Sequence, residues 1–95
     1  MTLLLAYQVA REAMNNAARH SRASLISVEL SEGEGEIRLV VEDDGVGFDP
    51  RAVDKDGHFG LQLVSERVEA GGGRVVLDSE LGVGTKVAAT LPQDL

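Results

Sequence analysis

The stretch Glu42-Asp43-Asp44-Gly45-Val46-Gly47-Phe48 places two acids against two glycines immediately after an apolar run. Two further glycine pairs follow along the chain, in Gly57-His58-Phe59-Gly60 and in Gly82-Val83-Gly84-Thr85. Each of the three stretches stands where a strand or a helix is expected to begin or end. Together they predict a backbone shaped to hold a small polyanionic ligand.

Composition limits the class of protein. The chain has 95 residues, which favours one domain, and 43% of them are hydrophobic, which is enough for a small core. The chain has no Cys, which excludes disulfides and thiolate metal sites and suits a reducing compartment. The net charge of −7 argues against a nucleic-acid surface, and it means that a phosphate ligand would depend on Mg²⁺ and on backbone N–H groups. No apolar run of the sequence is long enough to span a membrane.

The first half of the chain is predicted to hold one helix and two strands. The helix covers residues 2–20 with Thr2 as its N-cap, and the strands cover 24–30 and 36–42, joined by the turn Glu32-Gly33-Glu34-Gly35 as an antiparallel hairpin. The apolar residues of the helix recur at spacings of three and four: Leu3, Ala6, Tyr7, Ala10, Ala13, Met14 and Ala17. In the first strand the apolar residues alternate with polar ones, which predicts that Ile26, Val28 and Leu30 form a half-buried face.

The second half is predicted to hold a loop, a helix and two more strands. These are residues 44–59, 60–70, 74–78 and 85–91, with Gly71-Gly72-Gly73 as a left-handed stop after the helix. The order α-β-β-loop-α-β-β predicts an α+β fold, a two-layer α/β sandwich with its helices on one face of a mostly antiparallel sheet.

Glu12 and Asn16 lie four residues apart on the predicted first helix, so their side chains point the same way, and His20 continues the row. A carboxylate can accept a proton from a nucleophile, and an amide oxygen can ligate Mg²⁺. A solvated helix face would explain the same pattern. However, Asn is a poor helix former, and Asn15 and Asn16 each cost roughly a few tenths of a kcal/mol relative to Ala. That cost indicates that these asparagines serve a purpose other than forming the helix.

Asp43 ends an apolar strand, so its carboxylate should be partly buried at an edge of the sheet. A single acceptor there suits an exocyclic amine such as N6 of adenine, and Gly45 and Gly47 would let a flat ring approach the backbone. A simple turn with solvated acids is an equal alternative. Chelation of Ca²⁺ by Asp43 and Asp44 is another alternative, although the ligand spacing of an EF-hand loop is missing.

The two later glycine stretches also have simpler explanations. Gly57-His58-Phe59-Gly60 precedes a helix whose N-terminal N–H groups suit a phosphate, but it matches neither the Rossmann fingerprint nor the P-loop, and His58 is interpreted as an exposed loop imidazole. Gly82-Val83-Gly84-Thr85 is consistent with a plain hairpin turn, with the Thr85 hydroxyl available to a ligand. No Ser-His-Asp arrangement can be argued, and a zinc site would need both His20 and His58 plus carboxylates.

Taken together, these stretches resemble the ATP-binding catalytic domain of two-component sensor histidine kinases. This ATPase superfamily includes DNA gyrase B, Hsp90 and MutL, and the chain looks most similar to the nitrate-sensor and thermosensor subgroup with a short ATP lid. Four boxes carry the resemblance, in the family's order and spacing and over nearly the whole chain. They are the N box and three glycine boxes, at residues 11–20, 41–48, 57–61 and 82–85.

The resemblance implies a Bergerat-type ATPase fold with ATP and Mg²⁺ as ligands. Asn16 would ligate Mg²⁺, and Glu12 would polarise the nucleophile or water as the catalytic residue. Asp43 would bind the adenine amine with Thr85 behind it, and residues 49–59 would form the lid. The other implied nucleotide-binding residues are Arg19, His20, Gly45, Gly47, Gly57, His58, Gly60 and Leu61.

The resemblance also implies a cytoplasmic kinase module, in a protein that can be membrane-anchored. It would bind ATP or ADP and supply the γ-phosphoryl group to a histidine on a separate dimerisation domain, with a response regulator as the next partner. No contact with nucleic acid or with a membrane is implied for residues 1–95.

The chain begins at the N box, without a phosphoacceptor hairpin and without the strand that usually precedes the N-box helix. We therefore expect residues 1–95 to be a fragment that does not autophosphorylate and that has an exposed sheet edge. Two alternatives stay open. One is a serine kinase of the anti-sigma-factor type, and the other is a non-catalytic module of the same fold that binds nucleotide or only a partner protein.

Overall fold

The computed structural model describes residues 2–18, 22, 24–47 and 59–93, and for residues 59–61 it describes the backbone alone. Two helices and four strands follow one another in the predicted order, with boundaries that differ from the predicted ones by a few residues. They are α1 (Thr2–Asn16), β1 (Ile26–Gly33), β2 (Glu36–Asp43), α2 (Phe59–Ala70), β3 (Arg74–Glu80) and β4 (Gly84–Pro92).

The four strands form one sheet in the order β1-β2-β4-β3, and all three strand pairs are antiparallel. Helix α1 packs over β2 and β4, and helix α2 packs over β3 and against α1. The predicted two-layer α/β sandwich is therefore confirmed. The buried side chains between the layers include Leu5, Val9, Leu39, Val41, Val64, Val68, Val87, Ala89 and Leu91. Neither described helix has the length and hydropathy that crossing a membrane requires.

The buried stripe of helix α1 shares Ala6, Ala13 and Ala17 with the predicted set and differs from it in the larger residues. Of the residues that the spacing selected, Leu3, Tyr7 and Met14 are exposed, by 66%, 61% and 43% respectively. Apolar residues occur on both sides of this helix, so their spacing did not fix which side faces the sheet. The stripe that packs into the core consists of Leu5, Ala6, Val9, Ala13 and Ala17.

Both ends of α1 differ in detail from the predicted helix. Thr2, predicted as the N-cap, is the first residue of α1, and its buried hydroxyl donates to the carbonyl oxygen of Pro92 at 2.7 Å. The α-helix ends at Asn16 and continues as a π-helical turn through Ala17 and Ala18. The rest of the predicted helix, at residues 19–20, lies outside the described residues.

The antiparallel hairpin of β1 and β2 is confirmed. Glu34 and Gly35 both have positive φ angles, of 55° and 76°, as the two central residues of a type I′ turn require. The prediction that β1 is half-buried was wrong for most of the strand, because Val28 and Leu30 are 47% and 57% exposed. Both lie on the helix-facing side beside buried residues of β2, but the helices cover β2, β4 and β3 and leave β1 open.

Helix α2 ends as predicted in a left-handed glycine. Gly72 has a φ of 92°, its N–H donates to the carbonyl oxygen of Glu69, and the N–H of Gly73 donates to that of Val68. These two bonds form a Schellman motif. The motif turns the chain directly into β3, whose first residue, Arg74, pairs with Thr90 of β4.

The direction of the two helices determines what meets at each end of the sandwich. Helix α1 begins beside Pro92 and rises by about 1.5 Å per residue, so it runs along β4 towards the end where that strand starts. Helix α2 ends near Thr90, so it begins at the opposite end. The end of β2, the start of β4, the C-terminus of α1 and the N-terminus of α2 therefore share one end of the molecule, which we call the Asp43 end.

Candidate functional site

Three polar side chains lie side by side on the helix-facing side of the sheet at the Asp43 end. In the strand register, Asp43 of β2 pairs with Thr85 of β4, and Thr85 pairs with Ser79 of β3. All three residues are half-buried. The sequence predicted Asp43 and Thr85 as site residues, and it did not predict Ser79.

The Asp43 carboxylate has one oxygen in use and one available. Its Oδ1 accepts a hydrogen bond from the backbone N–H of Gly45 at 2.8 Å, which closes the turn after β2. Within the described part of the chain, no donor reaches its Oδ2. The turn therefore fixes the side chain while leaving one carboxylate oxygen for a ligand, as the prediction for Asp43 requires.

Asp44 has a different role from its neighbour. Its carboxylate accepts hydrogen bonds from the hydroxyl of Ser24 at 2.7 Å, from the N–H of Ser24 at 2.9 Å and from the N–H of Leu25 at 3.0 Å. The hydroxyl bond from Ser24, followed by the backbone bond from Leu25, lowers the pKa of Asp44 below its ordinary value of 3.8. Asp44 thus holds the start of β1 against the turn after β2.

The same contacts argue against the calcium alternative. The carboxylates of Asp43 and Asp44 serve separate partners in the turn and at the start of β1. Among the residues that the structure describes, no group of three or more His, Cys, Asp or Glu side chains is arranged to hold a metal ion.

The first and last glycine stretches pack backbone against backbone. The N–H of Gly82 donates to the carbonyl oxygen of Val46 at 2.7 Å, and a Cβ atom added to Gly47 would lie 2.1 Å from the carbonyl oxygen of Glu80. A Cβ atom added to Gly84 would lie 2.1 Å from the carbonyl oxygen of Asp43. Residues 80–84 are therefore a hairpin turn, as the simpler interpretation had it, and they also support the Asp43 turn. The β3–β4 turn occupies the space that a side chain at position 47 would need, so only glycine fits there.

Thr85 contacts Ser79 and not Asp43. The two hydroxyl oxygens, Oγ1 of Thr85 and Oγ of Ser79, are 2.8 Å apart, and the Ser79 hydroxyl also lies 3.2 Å from the carbonyl oxygen of Gly84. Thr85, which was predicted to stand behind Asp43, is directly opposite it in the strand register. The signal that could have found Ser79 is this register, since a turn at residues 81–83 places Ser79 opposite Thr85.

An open cleft of about 460 Å³ lies at this end of the sheet. Asp43, Ser79 and Thr85 line it, together with residues from the opposite side of the sheet. Those further residues include three acids and one cation: Glu42, Asp78, Glu80 and Lys86. The described side chains around this cleft therefore offer a polyanionic ligand no net charge attraction, which makes a bound cation important.

Glu12 and Asn16 lie one helical turn apart near the end of α1, and both are half-buried. The Nδ2 atom of Asn16 is buried and has no hydrogen-bond partner among the described residues. The amide oxygen of Asn16 is a ligand of the type that Mg²⁺ accepts, and Mg²⁺ usually takes only one or two protein oxygens beside phosphates and waters. Asn16 therefore fits such an ion by its chemistry.

The first turn of α2 lies at the same end of the sandwich. Gly60 and Leu61 belong to it, so their backbone N–H groups are among the unpaired donors of a helix N-terminus. The remaining predicted nucleotide-binding residues, Arg19, His20, Gly57 and His58, lie outside the described residues, as does most of the predicted lid.

Comparisons with known proteins agree with this arrangement. The model of the family described as histidine kinase-, DNA gyrase B- and HSP90-like ATPase matches residues 2–95. The chain is 37% identical over 89 residues to the sensor protein NarQ homolog of Haemophilus influenzae, an alignment that covers 93% of this chain. The chain spans only 16% of the length of that relative.

Solved structures show the same fold. The crystal structure of full-length ShkA in complex with AMPPNP superposes with a TM-score of 0.77 at 30% identity, over 93% of this chain and 21% of that one. The histidine kinase domain of the blue-light activated histidine kinase of Erythrobacter litoralis EL346 superposes with a TM-score of 0.79 at 24% identity, over 97% of this chain and 45% of that one. The second likeness concerns the fold alone.

Proposed function

Because the chain belongs to the histidine kinase-, DNA gyrase B- and HSP90-like ATPase family, we propose that it binds Mg-ATP as the catalytic domain of a sensor histidine kinase. The nucleotide would lie at the Asp43 end of the sandwich. The observation that carries the proposal is the half-buried Asp43 carboxylate, which the Gly45 N–H fixes through one oxygen while the other stays available.

The available oxygen of Asp43 would make the site bind adenine in preference to guanine. It can accept a hydrogen bond from the exocyclic amine of adenine, whereas guanine would bring a carbonyl oxygen to the same place. Two acceptors without a hydrogen between them repel, and the carboxylate would lose its water without gaining a bond. The Thr85 hydroxyl, directly opposite Asp43, can contact the ring nitrogen next to the amine. The site therefore favours ATP over GTP.

The phosphate end of the site relies on α1 and α2. Asn16 would hold Mg²⁺ through its amide oxygen, and this ion, when bound, neutralises charge on the transferred phosphoryl group. The N-terminus of α2 offers backbone N–H donors and the positive end of the helix dipole. Glu12, one turn before Asn16, would polarise the attacking group. We further propose that Arg19 or His20 approaches the phosphates and that residues 49–59 cover them.

The phosphate acceptor and the signalling partners are proposed from the relatives, which are longer than this chain. We propose that the γ-phosphoryl group passes to a histidine on a separate dimerisation domain and then to a response regulator, in the cytoplasm. The relatives named as sensor proteins support this proposal, and the ShkA structure supports the nucleotide because it contains AMPPNP. Residues 1–95 would bind ATP and ADP without phosphorylating themselves.

Calorimetric titration of the chain with ATP and Mg²⁺, with GTP as competitor, tests the nucleotide site. Asp43→Asn should weaken the binding of ATP by roughly 1–3 kcal/mol, the cost of a lost charge-assisted hydrogen bond. Glu69→Gln, an equal charge change at the exposed C-terminal end of α2 and away from the Asp43 end, serves as the matched control and should bind like the wild type. Equal binding by wild type and Asp43→Asn, or equal affinity for ATP and GTP, would contradict the proposal.

The kinase activity needs a second assay, in which the chain is mixed with ATP and a histidine-bearing dimerisation domain. Glu12→Gln should leave the affinity for ATP nearly unchanged and slow the phosphorylation of that histidine. If Glu12→Gln transfers phosphate as fast as the wild type, Glu12 is not the catalytic residue. If the wild type transfers none to the acceptor domain, the chain is a nucleotide-binding module without catalytic function.

A further inference from the structure

We propose that Ser79 is a positioning residue for adenine recognition, which acts by fixing the hydroxyl of Thr85 beside Asp43. The inference rests on the proposed function, because it concerns the same nucleotide site. It extends that function to a residue on the edge strand β3, outside the four boxes that carry the family resemblance.

The register of the sheet places Ser79 where it can control Thr85. Asp43, Thr85 and Ser79 occupy one row across three strands, so the side chain of Thr85 has a carboxylate on one side and a hydroxyl on the other. The hydroxyl oxygens of Ser79 and Thr85 are 2.8 Å apart, an ordinary distance for an O–H···O bond. This contact favours the one χ1 rotamer of Thr85 that keeps its hydroxyl within reach of Ser79.

With the described partners alone, the two hydroxyl groups can order their hydrogens in two ways. In one arrangement Ser79 donates to the carbonyl oxygen of Gly84, 3.2 Å away, and Thr85 donates to Ser79. In the other, Ser79 donates to Thr85, and the hydrogen of Thr85 is available to a ligand. The ring nitrogen beside the exocyclic amine of adenine is an acceptor, so bound adenine would select the second arrangement. In that arrangement Ser79 donates to the oxygen of Thr85, which holds this hydroxyl in place while its own hydrogen is donated to the base.

The turn between β3 and β4 does not depend on the Ser79 hydroxyl. The N–H of Val83 donates to the carbonyl oxygen of Glu80 at 3.0 Å, and that of Gly82 donates to Val46 at 2.7 Å. Both bonds are between backbone atoms, so they persist when the side chain of Ser79 is shortened. Loss of the hydroxyl should therefore affect the ligand more than the fold.

The test is a double-mutant cycle on the affinity for Mg-ATP and for ADP, measured by calorimetry alongside thermal unfolding. Ser79→Ala should weaken the binding of both nucleotides by the same factor, about three- to tenfold, because the Thr85 hydroxyl loses the contact that fixes it and its hydrogen bond to the base becomes weaker. In a Thr85→Val background, Ser79→Ala should cause no further loss, since Ser79 acts only through that hydroxyl. Ser79→Thr, which keeps a hydroxyl, should retain most of the affinity. Ser31→Ala, an exposed strand serine, is the matched control.

The possible outcomes separate this inference from the proposed function. If the wild type binds no ATP, both are wrong. If the wild type binds ATP in the manner that Asp43→Asn disrupts, and Ser79→Ala binds equally well, only the role of Ser79 is wrong. Losses from Ser79→Ala and Thr85→Val that add together, with a matching fall in the unfolding temperature, would mean that Ser79 only stabilises the strand pair.

Discussion

The carbonyl oxygen of Asp43 lies where the side chain of residue 84 would begin if that residue were not glycine. A Cβ atom on Gly84 would be 2.1 Å from this oxygen, and the φ angle of Gly84 is 138°, which other residues rarely adopt. The turn that carries Asp43, the residue proposed to bind adenine, therefore packs directly against the start of β4. A substitution at position 84 that pushes these two backbone segments apart would also move Asp43.

Gly84→Ala should destabilise the fold and weaken the binding of ATP together. We expect a loss of about 2–4 kcal/mol in the free energy of unfolding, from the strained φ angle and from the contact with the Asp43 carbonyl. Gly82→Ala is the matched control: Gly82 also has a positive φ, of 83°, but nothing lies within 4 Å of its added Cβ atom. It should cost only about 1 kcal/mol. Urea unfolding and calorimetry measure both quantities, and equal losses in the two variants would contradict the argument from the Asp43 carbonyl.

Asn16→Ala should raise the stability of the chain while it lowers the affinity for Mg-ATP. Alanine is a better helix former than asparagine, and the substitution removes a buried amide nitrogen that has no partner among the described residues. The expected gain is about 1 kcal/mol in the free energy of unfolding.

Asn15→Ala provides the control for Asn16→Ala, because Asn15 is an exposed neighbour with the same helix propensity. It should gain part of the stability and bind Mg-ATP like the wild type. Titrations with and without Mg²⁺ distinguish the two variants, since only Asn16→Ala should lose the part of the affinity for ATP that depends on the ion. If Asn16→Ala keeps that part, Asn16 does not ligate Mg²⁺.

Much of the fold could be predicted because its signals are local. Helical and alternating spacing identified both helices and all four strands, and the glycine pairs marked the turns at the Asp43 end. The order of elements then implied a sheet with both helices on one face. The family resemblance assigned Asp43 and Thr85 to one site, and the structure brings them together because the end of β2 meets the start of β4 in the antiparallel sheet.

The predictions that were wrong concern which face of a helix or strand is buried, and burial depends on how all the elements pack together. The spacing of apolar residues in α1 has more than one phase, and only packing against the sheet selects the stripe of Leu5 and Val9. Likewise, the alternation in β1 is correct, but neither described helix covers that strand beyond Ile26. Ser79 gave no signal of its own, because its role comes from its register with Thr85.

The exposure of β1 can be tested by making the same substitution, Leu to Ala, at two paired positions, Leu30 of β1 and Leu39 of β2. They are direct partners in the β1–β2 register, yet Leu30 is 57% exposed and Leu39 only 3%. Leu39→Ala should cost about 2–5 kcal/mol, because it leaves a cavity in the core. Leu30→Ala should cost about 0.5 kcal/mol or less, as surface substitutions usually do. Urea unfolding gives both values, and a large loss from Leu30→Ala would mean that another part of the protein covers β1.

Asp44 should make the stability of the chain depend on pH in acid. Its pKa is lowered in the folded state by hydrogen bonds from Ser24 and Leu25, so the unfolded chain takes up a proton at higher pH than the folded one. The stabilisation from these bonds is therefore fully present above the ordinary pKa of 3.8, and it is lost as the pH falls through the lower folded value. Asp44→Asn removes the carboxylate at every pH.

The difference in free energy of unfolding between the wild type and Asp44→Asn should thus be constant from pH 7 to about pH 5 and should shrink below pH 4. Because Asp44 is exposed, the difference should also be small and should fall as salt is added. Urea unfolding at a series of pH values measures it, and Asp78→Asn controls for the loss of one negative charge. A difference that grows as the pH falls would have the wrong sign and would show that the carboxylate of Asp44 does not stabilise the junction with β1.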